Sequence, residues 1–128
     1  MKYLCLAYGE EKKYAAMSKA ELEEMGVKCK TQDEELHQGG HLALIASLTP
    51  TRSATTLRPL NGKTVLYDGP YAETKEQLGG FFILEARDLN EAIQVASKHP
   101  AARLGENMGC ALEIRPIDFF EVTEAVRA

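Results

Sequence analysis

A segment rich in ionisable side chains, YDGPYAETKEQLGG, joins two strand-like stretches of the chain. Its first acidic residue, Asp68, precedes a Gly-Pro pair. A carboxylate with a shifted pKa in a closed cleft can transfer protons near neutral pH, so Asp68 is a candidate catalytic acid or base. An Asp at the start of a turn also often bonds its own downstream backbone amides, and the sequence leaves this structural role open.

The same segment offers groups that could contact a ligand. The ammonium of Lys75 could bind an anionic substrate if the segment folds over a pocket, and Tyr71 adds an aromatic ring with a hydroxyl. Gly79 and Gly80 would permit such folding, or they could form a β-bulge. We predict Tyr71 and Lys75 as ligand-binding residues, although a run of mixed charges is also typical of a solvated connection.

The histidines offer a second kind of chemistry. His41, at the start of a predicted strand, is a candidate proton-transfer group because imidazole titrates near neutral pH. His37 and His41 have H-x3-H spacing, but Gly39 interrupts any helix between them, so we expect no metal site. His99 lies at the end of a predicted helix and is interpreted as a group that complements the helix dipole.

Composition limits the class of protein. The 128 residues carry a net charge of -4 and three cysteines without a CxxC pair. This length suits a single domain, residues 1–128, and the scattered thiols without a signal peptide predict reduced cysteines in a cytoplasmic protein. We expect no membrane span and no direct binding of nucleic acid, because long apolar runs and Lys/Arg clusters are missing. No nucleotide fingerprint is present, so no cofactor is expected.

Hydrophobic periodicity predicts the helices and strands. A capping box at Ser18 and Glu21 starts a first helix, and Asp88 caps a second that stops before Pro100. Asn61-Gly62 favours a type I′ hairpin turn. The predicted strands are Lys2–Tyr8, His41–Leu48, Gly80–Ala86 and Cys110–Ile117, with hairpin arms at Ala54–Leu60 and Lys63–Asp68.

This order of elements predicts the fold. It reads β-α-β, a hairpin, then β-α-β, which is the ferredoxin-like βαββαβ arrangement with an inserted β-hairpin. The fold class is α+β, with a four-stranded antiparallel sheet and two helices on one face. Between the second helix and the last strand, AARLGENMG is predicted as a linker, and the tail DFFEVTEAVRA is predicted to be irregular or partly helical.

The other face of the sheet is predicted to meet a second copy of the chain. Alternation places Cys110, Leu112 and Ile114 under the helices. The set assigned to the open face is Ala111, Glu113, Arg115, Tyr3, Cys5, Ala7, His41, Ala43, Ile45, Ser47, Phe81, Ile83 and Glu85. This mixture of apolar and polar groups predicts a homodimer with a polar pocket in its interface. Tyr3, Glu85 and Arg115, with Arg58 from the hairpin, are predicted to position a ligand there.

Several motifs also resemble a known family. MKYLCLAY, ATTLR, DGPYAETKEQLGG and EIRPI are similar to segments of the YCII-related family, specifically the branch named for its Asp-Gly-Pro-Phe loop. Tyr71 stands where that loop has Phe, which keeps the ring and adds a hydroxyl. The resemblance covers nearly the whole chain and implies a homodimer of the dimeric α+β barrel type.

The resemblance implies two classes of function. The wider family resembles barrel proteins that include enzymes acting on small molecules, with a His-Asp pair suggested as active site. Asp68 matches the acid, but the first helix has no His before His37. Our first hypothesis is therefore a protein that binds or transforms a small molecule, using Asp68 and His41 in a pocket at the dimer interface. Relatives encoded beside sigma factors imply the alternative, a non-enzymatic module that contacts a transcription regulator.

Overall fold

The computed structural model describes residues 1–124 and shows a four-stranded antiparallel sheet with helices on one face and a separate two-stranded sheet. The strands are β1 (Lys2–Gly9), β2 (Leu42–Ser47), β3 (Thr55–Leu60), β4 (Lys63–Asp68), β5 (Gln77–Glu85) and β6 (Ala111–Pro116). The helices are α1 (Glu11–Ala15), α2 (Lys19–Gln38), α3 (Leu89–Ala96) and α4 (Pro100–Arg103). The sheet order is β2-β5-β1-β6, and every neighbouring pair is antiparallel. The predicted ferredoxin-like α+β fold is confirmed.

The predicted helix starts are present as hydrogen bonds. The Ser18 hydroxyl accepts from the Glu21 amide at 3.1 Å, and the Glu21 carboxylate accepts from the Ser18 amide at 3.1 Å. The Asp88 carboxylate accepts from the Glu91 amide at 2.9 Å. These bonds satisfy amides that a helix leaves unpaired in its first turn, so the local sequence determines where α2 and α3 begin.

Two short helices were not predicted. α1 follows β1 directly, and α4 begins at Pro100 and extends into the stretch predicted as a linker. Pro lacks the amide that would be unpaired at the first helical position, so it suits the start of α4. The tail, residues 118–128, was predicted to be irregular or partly helical. Residues 118–123 have no helix or strand, and residues 125–128 lie outside the described part of the chain.

The core lies between the sheet and the helix layer. Its larger cluster consists of Cys5, Leu36, Phe82, Leu84, Val95 and Ala96. A smaller cluster contains Tyr3, Ala86 and Ala92. Burial raises the pKa of the Cys5 thiol to about 12, because a low-dielectric surrounding disfavours the thiolate. Cys5 is therefore a core residue, which fits its character as a small hydrophobe, and its assignment to the open face is wrong.

The predicted face of β1 is wrong. Tyr3 is 2% exposed and packs with Ala92 of the helix layer, so the Tyr3 set faces the helices. Leu4 and Leu6 instead face the open side, since they pair with Arg115 and Glu113 of β6 and paired residues share a face. Both sets of β1 are apolar, so alternation could not distinguish them.

The predicted face of β2 is wrong at two positions. The register shifts between Leu42 and Leu44, and Ile45 then pairs with the core residue Phe82. Ile45 and Ser47 consequently lie on the helix side, while Leu44 and Ala46 take the open side. An irregularity of one residue exchanges the faces beyond it, and the apolar pattern of this strand does not reveal it.

The inserted hairpin is confirmed and forms its own two-stranded sheet from β3 and β4. Asn61 and Gly62 have φ values of 51° and 75°, which matches the type I′ turn that the dipeptide predicted. The segment after β4 packs back on the hairpin, because the Thr56 hydroxyl donates to the Gly69 carbonyl at 2.8 Å. Within residues 1–124, no helix combines the length and the apolar composition needed to cross a membrane.

We predict that Leu36 holds α2 on the sheet. Leu36 is 0% exposed, so Leu36→Ala should lower the free energy of unfolding by about 2–5 kcal/mol through lost contacts and a cavity. Val27→Ala on the same helix, where the side chain is 70% exposed, should change it by less than about 0.5 kcal/mol. Urea unfolding measures both values, and equal effects would contradict this packing.

Candidate functional site

A cavity of about 380 Å³ lies between the helix layer and one end of the sheet. Its walls come from the end of β1, from α1, α2 and α4, and from β2, β5 and the residue before β6. Its apolar wall includes Met25, Ile45, Ala101 and Leu104. Its titratable groups are Tyr8, Glu11, Tyr14, Cys29, Asp33, His99 and Cys110. This is the candidate functional site.

Helix α2 forms one wall of the cavity. Met25, Cys29 and Asp33 all line it, and their spacing of four residues places them on one face of a helix. Asp33 also lines an adjoining groove with Lys30 and His37, so it lies at the rim. The rim carboxylate is thus the part of this wall that meets solvent.

Gly80 permits β2 and β5 to come close at the floor of the cavity. A Cβ atom at this position would lie 2.8 Å from the carbonyl oxygen of Ala46, closer than carbon and oxygen can approach without movement. The register of β1 and β5 shifts beside it, between Ala7 and Tyr8, which bears out the β-bulge alternative for the glycine pair.

A phenol and a thiol are paired inside the cavity. The Tyr14 hydroxyl lies 3.0 Å from the Cys110 sulfur. Burial and then this hydrogen bond raise the pKa of Tyr14 well above its ordinary value. Cys110 was predicted to be a core hydrophobe, whereas the structure places it in the cavity wall. Burial, followed by the negative charge of Asp33, also raises the pKa of Cys29, so the Tyr14 and Cys29 groups stay protonated at neutral pH.

His99 occupies a fixed position in the wall. Its Nδ1 accepts a hydrogen bond from the Ala101 amide at 3.0 Å, and its ring stacks on Phe82 with centroids 4.8 Å apart. Burial lowers the pKa of His99, with an opposing effect from Asp33. The interpretation of His99 as a dipole-complementing group at a helix end is wrong, because it is the N-cap of α4 and remains neutral.

Glu11 closes one side of the cavity by bridging two connections. Its carboxylate accepts from the amide and from the hydroxyl of Thr51, each at 2.9 Å. Its own amide donates to the Gln77 side chain at 2.8 Å. Glu11 thereby ties the segment after β2 and the start of β5 to α1.

The structure brings two of the predicted site residues together on the hairpin. The Arg58 guanidinium donates to the Tyr71 carbonyl at 3.1 Å and lies 5.0 Å from the centre of the Tyr71 ring. Asp68, at the end of β4, is exposed, and so is Lys75. None of these four residues lines the cavity.

A second group of predicted residues lies at the Glu85 end of β5, away from the cavity at the Gln77 end. Glu85 accepts hydrogen bonds from Lys2 at 2.5 Å and from the N-terminal ammonium at 2.9 Å, and these bonds lower the Glu85 pKa to about 2. The His41 Nδ1 lies 3.0 Å from the Glu85 carbonyl oxygen and 3.9 Å from the Glu91 carboxylate. Glu85 and His41 thus form a local cluster, while Arg115 lies on the open face opposite Leu4.

The structure does not bring Asp68 and His41 together. The segment after Asp68 enters the Gln77 end of β5, whereas His41 lies at the Glu85 end of this nine-residue strand. Tyr3 is in the core, so its ring does not face the open side. The catalytic and ligand-binding roles assigned to these residues from the sequence stay predictions.

Sequence reasoning missed the cavity residues Tyr14, Cys29, Asp33 and His99 as a group. Their positions lie far apart along the chain, and only the packing of α2 and α4 on the sheet unites them. One local signal was present: His99 directly before Pro100 is typical of an N-cap followed by a first helical residue. Among residues 1–124, no cluster of three or more His, Cys, Asp or Glu residues is arranged to hold a metal ion.

The four-stranded antiparallel sheet with helices on one face defines a ferredoxin-like α+β protein. The family model of the YCII-related domain matches residues 1–118. An uncharacterized protein of Rhizobium meliloti (strain 1021) is 35% identical over 124 residues, which is 97% of this chain and 98% of the relative. The chain belongs to the YCII-related family, as its motifs predicted, and its place in the Asp-Gly-Pro-Phe branch stays a prediction.

We predict that Glu11 keeps the Thr51 connection in place. Glu11→Ala would leave the Thr51 amide without its acceptor, so its hydrogen exchange should accelerate, and stability should fall by about 1–3 kcal/mol. Hydrogen-exchange mass spectrometry measures the first effect and urea unfolding the second. Glu34→Ala, an exposed change on α2, is the control. Unchanged exchange at Thr51 in Glu11→Ala would show that this bridge does not order the connection.

Proposed function

We propose that the protein binds a small neutral molecule in the cavity between its sheet and its helix layer. The observation that carries this proposal is the cavity itself, which combines an apolar wall with hydrogen-bonding groups held in their neutral forms. Its volume falls in the range of about 300–1,000 Å³ typical of ligand pockets. This site lies within one subunit, unlike the pocket first predicted at a dimer interface.

The charges around the cavity favour a neutral ligand. Among the described residues, the wall contains the carboxylates of Glu11 and Asp33 and no Lys or Arg. Glu11 is engaged by Thr51, but Asp33 makes no side-chain hydrogen bond within residues 1–124. A carboxylate or phosphate ligand would meet negative charge without a cation to offset it, so the anionic substrate considered for Lys75 does not suit this site.

The neutral polar groups favour a ligand with a hydrogen-bonding atom. His99 and Tyr14, whose hydroxyl is paired with the Cys110 sulfur, line a mostly apolar space. A buried polar group that loses water without gaining a partner costs free energy, so a pure hydrocarbon should bind less well than a molecule with a matching polar group. Ligand specificity then comes from a few fixed contacts, as in most small-molecule sites.

We predict that filling the cavity abolishes ligand binding. Ala101 lines the cavity, so Ala101→Leu should remove the thermal stabilisation given by any compound that binds there. Ala102→Leu, the adjacent exposed position in α4, is the matched control and should keep it. A thermal-shift screen of neutral aromatic and alicyclic compounds provides the measurement.

The variant Asp68→Asn distinguishes a ligand site in the cavity from a ligand site on the hairpin. Asp68 remains the candidate acid or base of the first hypothesis, which requires a ligand near the hairpin. If a stabilising compound loses its effect in Asp68→Asn and keeps it in Ala101→Leu, the ligand site is on the hairpin and the cavity proposal is wrong. Loss in Ala101→Leu alone supports the cavity.

We further propose that the open face of the sheet packs on a second copy of the chain. Leu4, Leu6, Leu44 and Phe81 lie on this face together with charged groups of both signs, Lys2, Glu85, Glu113 and Arg115. Opposite charges on one surface can pair across a two-fold axis, and the apolar part gains by leaving water. This arrangement supports the homodimer expected from the sequence, and the regulator partner stays a prediction.

The oligomeric state should respond to a charge on this face. Leu6→Glu would place a second carboxylate beside its strand partner Glu113, and like charges in a desolvated interface oppose association. Sedimentation velocity at micromolar concentration should show a dimer for the wild type and a monomer for Leu6→Glu. Val27→Glu on exposed α2 should leave the dimer intact. A monomeric wild-type protein would refute the proposed interface.

A further inference from the structure

The side chain of His99 lines the cavity and is held in one orientation. We propose that His99 binds the ligand as a neutral hydrogen-bond donor, with its Nε2–H directed to a carbonyl oxygen, so that the cavity selects small uncharged carbonyl compounds with an apolar body. This inference rests on the proposed function, since it requires that the cavity bind a ligand.

The backbone of α4 fixes the tautomer of His99. The Ala101 amide can only donate, and it donates to Nδ1 at 3.0 Å. A ring nitrogen that accepts a hydrogen bond carries no proton, so in the neutral ring the proton is on Nε2. A 180° flip of the ring would put a carbon atom in the place of Nδ1 and lose this bond, and stacking on Phe82 holds the plane of the ring. Because Nδ1 accepts from the backbone of α4, the other ring nitrogen, Nε2, is a hydrogen-bond donor and not an acceptor.

The Nε2 atom is free to meet a ligand. It makes no hydrogen bond within residues 1–124, and no side-chain nitrogen or oxygen there is both buried and unpaired. Because His99 itself is only half-buried, its unpaired Nε2 must be accessible. The side chain lines the cavity, so Nε2–H is available to an acceptor inside it.

Protonation of the ring would remove this arrangement. A second proton would occupy Nδ1, which then could not accept from the Ala101 amide. Burial lowers the pKa of His99, and the carboxylate of Asp33 opposes that effect without reversing it. The other titratable groups that share the cavity are Tyr8, Glu11, Tyr14, Cys29 and Cys110. Of these, the raised pKa values of Tyr14 and Cys29 leave them uncharged near neutral pH.

The donor and the charge pattern together select the ligand. A single neutral N–H bonds a carbonyl oxygen well, whereas a carboxylate would also face Asp33 with no Lys or Arg among the described lining residues. The Tyr14 ring with aliphatic neighbours such as Ile45 and Leu104 forms the remaining wall, which suits an apolar body. An uncharged ketone or aldehyde meets all of these conditions.

Three probes of similar size test the inference. Acetophenone has a neutral carbonyl, α-methylstyrene replaces that oxygen by a methylene group, and benzoate is anionic. Binding is measured by NMR titration at pH 7.5 with the wild type, Ala101→Leu, Ala102→Leu, His99→Phe and His99→Asn. Phe keeps a ring to stack on Phe82, and Asn keeps an acceptor that can cap α4, but neither can donate from the position of Nε2. The wild type should bind acetophenone about 3- to 10-fold more tightly than α-methylstyrene, as one hydrogen bond allows, and should bind benzoate more weakly than either.

The outcomes separate the two proposals. Loss of the carbonyl preference in both His99 variants supports the role of His99. Equal affinity of the wild type for acetophenone and α-methylstyrene, or a preference that survives in either His99 variant, refutes that role, while sensitivity of binding to Ala101→Leu still supports the cavity. Binding that Ala101→Leu leaves unchanged refutes the cavity and the His99 proposal together. If the wild type binds none of the probes at millimolar concentration, the assigned ligand class is wrong.

A spectroscopic measurement reads the tautomer directly. Long-range ¹H–¹⁵N spectra at pH 7.5 should show an unprotonated Nδ1 and a protonated Nε2 for His99, and acetophenone should shift the Nε2 signal. Because the His99 pKa is lowered, the carbonyl preference should persist at pH 6.5, where an unperturbed His is half protonated. A protonated Nδ1 at pH 7.5, or a preference already halved at pH 6.5, would overturn the inference.

Discussion

The structure depends on how α2 rests on the sheet. Leu36, near the end of this helix, is its buried residue and joins the main core cluster. The preceding turns carry Met25 and Cys29, which stand over the sheet without filling the space beneath them. Arg103 of α4 donates to Gln32 and lies 3.4 Å from Glu35, in the same half of α2 as Leu36. The helix is therefore held near its C-terminal end, its earlier turns leave a cavity, and that cavity is the site on which the functional proposal rests.

Burial in this cavity has a chemical consequence. Low polarity disfavours charge on Tyr14, Cys29 and His99, so each remains uncharged near neutral pH. The wall therefore offers hydrogen bonds from uncharged groups, and its charges are the Glu11 carboxylate, which is bonded to Thr51, and Asp33 on the rim. Such a site distinguishes ligands by shape and by the position of one or two polar atoms, and proton transfer would require Asp33 or a group supplied by the ligand.

The two faces of the sheet differ in what they can do. The helix face holds the core and the cavity, whereas the open face combines leucines with the ion pair of Lys2 and Glu85. Lys2 and the N-terminal ammonium already pair with Glu85 within one chain and lower its pKa to about 2. A partner would meet an apolar strip bordered by fixed charges, which favours a specific over a general association.

Local sequence was sufficient for much of the fold. The capping box of Ser18, the cap at Asp88 and the Asn61-Gly62 turn each depend on neighbouring residues, and the family motifs also lie in continuous segments. The faces of β1 and β2 could not be predicted in the same way, because both sets of β1 are apolar and the irregularity after Leu42 leaves no mark in composition. The candidate site was harder still, since chemically conspicuous residues such as Asp68 lie on the exposed hairpin.

The sequence by itself determined the order of the strands and of the two longer helices, the starts of those helices and the family, because hydrogen bonds between near neighbours and apolar periodicity are local properties of the chain. Only the tertiary structure decided that Tyr14 meets Cys110 and that His99 faces a cavity rather than ending a helix in solvent. Those contacts join residues from opposite ends of the chain, and they depend on where a helix leaves space above a sheet. The cavity results from packing between distant segments of the chain, so no local sequence pattern predicts it.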